Sequence, residues 1–517
     1  MPRFTKLDPR PEDDLDHEDG EQAVPDEHSR LLPNRVSDSN RGMLEPDDPA
    51  VSPYNLWSVR ILQYLTILFT LITLVWWVLL LVSAFATPPG FQTRGSGFLA
   101  FGYASLTLAN MIITVLFFGV PAKPVRVLAV FMSAALVLDM ILILSVQKTR
   151  YEEGWVGAAS VIWALLTSLW TLLTDEVVKW GKAEEEERLT GRAETRRTLL
   201  EWSVVMLSTV AYAVISVALF LMTLGIIIRA LDAAVAPPGK LYWVDGHKYQ
   251  LHVYCHGNKS DTVPTVLFEA GEDTVEHSFW EFAENGVKNG SFPRYCFADR
   301  PGFGWSDTSP SPASAGFVVD ALSEALAQAG EKGPWVLASA GIGTIYSRVF
   351  SSRHAHAVKG LVLIDPLHED YLNGVGSSGR GFLLWLQGVI SPLSLDRLPG
   401  AIFRGRTSRD RVYGRSAWQG GKYILAKLQE NLVAGSFTLR DVKGSRGIQN
   451  KDTKLVVISS GKQVKKSAKW EHKQRDLTRL TDRLKSWDIV DGAPHEVWRT
   501  LEGREKIEKR LKQLVNA

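Results

Sequence analysis

Trp335 to Phe350 reads as a buried strand, a sharp turn and a helix. This layout can hold a catalytic nucleophile on a strained turn, with a small residue two places to either side. The run is Trp335-Val336-Leu337-Ala338-Ser339-Ala340-Gly341-Ile342-Gly343-Thr344, followed by a helical stretch. If Ser339 and Gly343 are the small residues, the nucleophile position falls on Gly341. Glycine tolerates the positive φ of such a turn because it lacks Cβ, but it brings no group that could attack a carbonyl. The turn is kept and its chemistry lost. Ser339 is the alternative nucleophile. That register would put bulky Leu337 at a small position and start the helix late relative to the turn.

The elements around this turn follow from hydrophobic patterning. Tyr242–Gly257 alternates apolar and polar residues as two short antiparallel strands do. Thr265–Gly271 is a buried strand entering a tight loop, Ala313–Ala329 is helical, and Gly360–Asp365 is another continuous apolar strand. Strands alternating with helices imply a mostly parallel sheet. Together with Thr265-Val266-Leu267-Phe268-Glu269-Ala270-Gly271 and the run Asp299-Arg300-Pro301-Gly302-Phe303-Gly304-Trp305-Ser306-Asp307, residues 241–517 resemble an α/β-hydrolase. The wider pattern resembles fungal integral membrane proteins that carry a hydrolase-like domain.

That resemblance implies a triad. Its acid would be Asp365 at the end of the sixth strand, because the later strand runs into Ser459-Ser460-Gly461-Lys462 without a carboxylate. Its base would be His495, just ahead of the C-terminal helix; the histidine takes the nucleophile's proton and the acid fixes its tautomer. The oxyanion region would comprise Gly271, Glu272 and Ile342, and Glu272, Asp273 and Glu276 are unusual there, since a carboxylate repels developing negative charge. Residues 366–453 form the lid insertion. Its Phe382–Ile390 stretch could pack on the core, cover an acyl pocket or dip into a bilayer. By the same analogy Cys255 and Cys296 fall on neighbouring strands, where a disulfide is geometrically open to them; two buried thiols are the alternative.

The N-terminal half is membrane. Five apolar stretches, about 61–86, 97–120, 125–146, 155–173 and 202–230, are long enough to cross a bilayer core. Asn110 and Asp139 lie within them and should face other helices. Lys123, Arg126, Lys179, Lys182, Arg188, Arg192, Arg196 and Arg197 fall in loops on the side of the N-terminal flank (Arg41, Arg60). Only Arg94, Lys148 and Arg150 fall on the other side. The positive-inside rule then puts the N-terminus in the cytosol and, after five crossings, residues 241–517 in a lumen or outside the cell. Asp175–Arg197 should form a charged helical extension or hairpin, and 232–240 a linker.

Residues 1–54 read as a disordered cytosolic tail. Within it Glu27, Leu31 and Leu32 resemble an acidic dileucine sorting signal of endolysosomal and vacuolar membranes. The tail's acidity disfavours a mitochondrial destination; an endomembrane or vacuolar one is favoured, with the plasma membrane second. Asn258 and Asn289 open glycosylation sequons in expected surface loops. A net charge of +2 over 517 residues carries no nucleic-acid signature, and neither metal-spaced Cys/His clusters nor a phosphate-binding glycine loop is visible, so no cofactor is expected. The composite expectation is a polytopic membrane protein whose hydrolase-like domain has lost acyl transfer and binds a lipid, an apolar small molecule or a partner. The alternatives are a serine hydrolase of esters or lipids using Ser339, His495 and Asp365, lyase-type general-base chemistry, and a transporter centred on Asp139.

Overall fold

The computed structural model describes residues 52–191 and 198–516, so the expected sorting signal at Glu27, Leu31 and Leu32 lies outside the described residues. Five helices are long and apolar enough to cross a membrane: α1 (Trp57–Ser83), α2 (Phe98–Leu116), α3 (Lys123–Ser145), α4 (Gln147–Thr190) and α5 (Leu199–Asp232). Leu, Ile, Val and Phe side chains crowd their outer faces, as they must where the surroundings are hydrocarbon. Polar residues turn inward. The Tyr103 hydroxyl donates to Asp139 at 2.8 Å, and Asn110 donates to Thr171 at 3.2 Å. The fourth helix is longer than expected: it begins at Gln147 and continues beyond Leu173 through the charged segment to Thr190, with non-helical backbone only at Gly154. The charged extension is therefore one continuous helix with the span.

After a linker at residues 233–239 the chain forms an eight-stranded sheet of β1 (Lys240–Val244), β2 (Tyr249–Gly257), β3 (Thr265–Glu269), β4 (Arg294–Ala298), β5 (Trp335–Ala340), β6 (Val358–Ile364), β7 (Lys454–Ser460) and β8 (Arg483–Val490). The order is β1-β2-β4-β3-β5-β6-β7-β8. β1 and β2 run antiparallel to their neighbours; β3 to β8 pair in parallel. This order, with its central strands buried on both faces, is that of the α/β-hydrolase sheet. α6 (Glu281–Lys288) and α17 (Leu501–Val515) cover one face, while α7 (Ala315–Gln328) and α8 (Gly343–Arg353) cover the other. Successive residues of β5 therefore enter different layers. Val336, Ala338 and Ala340 join the α6/α17 core, and Trp335 and Leu337 join the α7/α8 core.

The insertion between β6 and β7 is a helical cap of α9 (Leu372–Val375), α10 (Ser378–Ile390), α11 (Arg397–Phe403), α12 (Ser408–Val412), α13 (Gly421–Val433) and α14 (Leu439–Ile448). α15 (Gly461–Lys466) and α16 (Ala468–Leu477) follow β7. The cap faces the bundle as well as the sheet. Ile424, Leu425 and Leu428 of α13 enclose Phe98 of α2, and a Cβ on Gly388 of α10 would come 2.1 Å from the Phe98 ring. The Phe382–Ile390 helix thus sits on the core side of the seam, yet Phe382 and Leu383 remain more than half exposed.

Candidate active site

The sharp bend of the β5–α8 turn falls on Gly341. Gly341 has φ 49°, its N–H donates to the Ile364 carbonyl at 3.1 Å, and its own carbonyl accepts from Leu367 N–H at 3.1 Å and the Thr344 hydroxyl at 2.6 Å. A Cβ on Gly343 would come 2.1 Å from the Ala270 carbonyl, so that position demands glycine. Ser339 follows Trp335 and Leu337 toward the α7/α8 layer. It is fully buried and its hydroxyl has no hydrogen-bond partner. Asp365 lies at the end of β6 with φ 41°. Its Oδ2 is 2.6 Å from His495 Nδ1, and its Oδ1 accepts from Ser460 N–H and from the Trp470 indole, each at 3.1 Å.

A Cβ placed on Gly341 would lie 3.0 Å from His495 Nε2. The imidazole thus addresses the turn directly, and sits closer than a β-carbon usually tolerates. Burial alone would lower the His495 pKa, but the hydrogen bond and charge of Asp365, with Glu272 and Glu496 behind them, leave it raised. His495 and Asp365 are aligned on a position that carries no side chain.

The carboxylates of the loop after β3 take three different environments. Glu272 is half exposed and ion-paired with Lys427 of α13 at 2.8 Å, which drives its pKa down to about 2. The Tyr423 hydroxyl donates to the Glu272 carbonyl at 2.5 Å, so α13 grips the loop by both main chain and side chain. Asp273 pairs with Arg499 at 3.3 Å. Glu276 is buried against Asp299 and His252, since the helical turn at Glu276–Trp280 directs it inward. Arg300 ties the region together: it donates to the Gly271 carbonyl at 2.5 Å and pairs with Glu269 at 3.2 Å and Glu430 at 3.4 Å. Lys427, Tyr423, Trp470 and Glu430 carried no recognisable motif.

Cys255 and Cys296 face each other across β2 and β4 and form a disulfide. Asn258 and Asn289 are both exposed.

A region of unknown function (DUF2417) matches residues 27–255, which take in the bundle and the first two strands. Over 524 residues the chain is 34% identical to an uncharacterized protein of Schizosaccharomyces pombe, covering 95% of this chain and 96% of that one. This chain belongs to the same family. An uncharacterized vacuolar membrane protein of Saccharomyces cerevisiae is a more distant relative, 27% identical over 385 residues and covering 62% of this chain and 59% of its own length. Among solved structures, an alpha/beta hydrolase enzyme from a Medee basin deep-sea metagenome library shares 10% identity at a TM-score of 0.40, over 54% of this chain and 98% of that one. An esterase from Exiguobacterium antarcticum shares 14% at a TM-score of 0.38, over 54% of this chain and all of its own. In this chain a polytopic membrane segment is joined to an α/β-hydrolase-fold domain.

Proposed function

We propose that the α/β-hydrolase domain is a non-catalytic binding domain held at a membrane surface, retaining the fold and base–acid pair of a hydrolase but not its nucleophile. The observation that carries this reading is the 3.0 Å approach of His495 Nε2 to the Cβ position of Gly341. The base is aimed at a residue that cannot be deprotonated at its side chain. Ser339 is a poor substitute because it lies within β5 rather than on the turn, is fully buried, and its hydroxyl finds no hydrogen-bond partner among the described residues. The latch between α13 and Glu272 places a carboxylate beside the loop whose N–H groups would stabilise an oxyanion, a further argument against acyl transfer. The ligand class we favour is a lipid or apolar small molecule. The apolar faces of α10 and α11, with Phe382, Leu383, Ile402 and Phe403 exposed, support this choice.

The membrane orientation belongs to the same proposal. Basic loop residues concentrate at the bundle end far from the α/β domain, and the Cys255–Cys296 bond suits an oxidising lumen. The N-terminus then faces the cytosol and the domain a lumen, with the vacuole favoured because the Saccharomyces cerevisiae relative is called a vacuolar membrane protein.

The test is labelling of the detergent-purified protein with a serine-directed fluorophosphonate, mapped by mass spectrometry. No adduct in a sample that melts cooperatively is the expected result. An adduct on Ser339 that disappears in His495→Ala overturns the proposal and restores a serine hydrolase.

A second reading rests on the intact 2.6 Å Asp365–His495 pair, which nucleophile-independent general-base chemistry would use. Turnover of a substrate that resists fluorophosphonate yet is abolished by His495→Ala would select it.

A further inference from the structure

The ends of α4 and α5 nearest the α/β domain enclose, with the cap, a cavity of about 120 Å³. That is several times the room one buried water needs. Lys148, Arg229, Arg397, Arg411 and Lys422 line it, opposed at its surface by Glu152 and Asp232. Arg397 and Arg411 share the single carboxylate of Asp232, at 2.9 and 2.6 Å. Arg229 pairs with Glu152 at 2.8 Å and with Glu153, behind the wall, at 2.7 Å; Lys422 reaches the same Glu152 at 3.5 Å. Lys148 has no ion pair or hydrogen bond among the described residues. Five lining cations therefore meet three paired carboxylates in a partly open cavity, with Asp307 also near Lys422. Uncompensated charge of this kind is costly away from water unless a counter-ion joins it.

The other walls restrict what the counter-ion can be. Ser96, Ser391 and Ser394 add hydroxyls, of which Ser391 donates to the Gly388 carbonyl at 2.7 Å, whereas Leu99, Met222 and Ile226 close the side toward the bundle interior. Guanidinium and ammonium groups converging with hydroxyls suit a tetrahedral oxyanion, which accepts several charge-assisted hydrogen bonds at once. The cavity also lies where the spanning helices end, the level at which lipid phosphates are found.

We propose that this cavity is a binding site for a phosphate group, carried by a phospholipid headgroup or present as free phosphate, bridging the membrane bundle and the cap. The site is separate from Gly341 and His495 and does not depend on whether the elbow is catalytic. Lys148 and Arg397 are the informative residues to change. Removing either leaves every carboxylate paired, because Arg411 still neutralises Asp232 and Arg229 still holds Glu152.

The experiment follows melting of the full-length protein in detergent during titration with inorganic phosphate, with chloride keeping ionic strength constant. Native mass spectrometry of the same protein taken from membranes runs beside it. Phosphate is expected to raise the melting temperature of the wild type. Lys148→Gln and Arg397→Gln should each weaken the apparent affinity about tenfold, the loss of roughly one charge-assisted contact, and Lys465→Gln on exposed α15 should not. A co-purifying phospholipid retained by the wild type and lost from Lys148→Gln assigns a headgroup; a lipid-free protein that responds to phosphate assigns the free ion. An unchanged wild-type melting temperature with no phosphorylated adduct overturns the proposal. So does an equal response in all the variants. The wild-type series decides even if a variant fails to fold.

Discussion

Glu269, Glu276 and His495 all bind protons more tightly in the folded domain than in an unfolded chain. Burial, helped by Glu430 and Asp299 and opposed by Arg300, lifts the Glu269 carboxyl from 4.5 to about 8. Burial and the facing Asp299 raise Glu276 well above its ordinary range. For each carboxyl the unfolded chain ionises near 4.5 while the folded one stays protonated, so stability falls as pH climbs through that interval. His495 has the same sign: its contribution is complete below its unfolded value of 6.5 and fades as pH passes its raised folded value. His354, lowered chiefly by burial, opposes this trend, and Glu369 and Glu272, both held down to about 2 by cationic partners, set the acid limit because their pairing is lost as pH falls toward 2. The melting temperature should therefore peak on the acid side of neutrality and decline toward pH 8, and Glu269→Gln should flatten that decline. Thermal denaturation from pH 4 to 8 checks both. At the elbow, Gly341→Ser should destabilise by about 1 kcal/mol, since φ is positive. It should label weakly at best with fluorophosphonate, because its Cβ would crowd the imidazole; labelling as complete as in an active serine hydrolase would mean the site is held ready for a nucleophile.

At the scale of elements, α13 is the joint on which the cap depends. Its Lys427 is buried and satisfies Glu272 and Glu430 together, at 2.8 and 3.0 Å. Lys427→Met leaves Glu430 with less compensation in a buried setting and should cost about 3 kcal/mol. Glu272→Gln, changing a half-exposed group, should cost below about 1 kcal/mol yet speed amide exchange in residues 270–276 and 421–433. Exchange that stays unchanged there would show that the latch does not hold the loop. Sequence made the sheet legible because β5, β6 and β7 are continuous apolar runs ended by small or polar residues, and the same pattern led to the turn at Gly341. It could not reveal that Lys427 meets a carboxylate 155 residues away, or that Trp470 holds an acid 105 residues back. Such partnerships depend on how the cap folds over the sheet, and no local period encodes them. The packing of α10 on α2 was hidden for a related reason, since an apolar helix face does not specify which apolar neighbour it meets.

For the molecule as a whole, the orientation is open to direct tests. The disulfide closes a sequence separation of 41 residues, a length for which chain entropy gives about 4 kcal/mol. Reductant should lower the melting temperature of the domain, and Cys255 and Cys296 in intact cells should resist thiol-reactive polymer until reduced. Exposed Asn258 should carry a glycan if the domain faces a lumen. A mobility shift on endoglycosidase treatment that vanishes in Asn258→Gln checks this, and ready thiol modification without reduction would argue for the cytosol.

The docking of the cap has a mechanical consequence. In many hydrolases the lid is a door, and substrates enter because it swings. Here α10 rests on the Phe98 ring at Gly388, and a Cβ on Gly225 of α5 would lie 2.3 Å from Ser394 Oγ, so the cap is keyed into the spanning helices at two sockets. A door whose frame is also a supporting beam cannot open without loosening the building. Opening this cap would pull apart the seam between domain and membrane, so any signal that moves one half must be felt by the other.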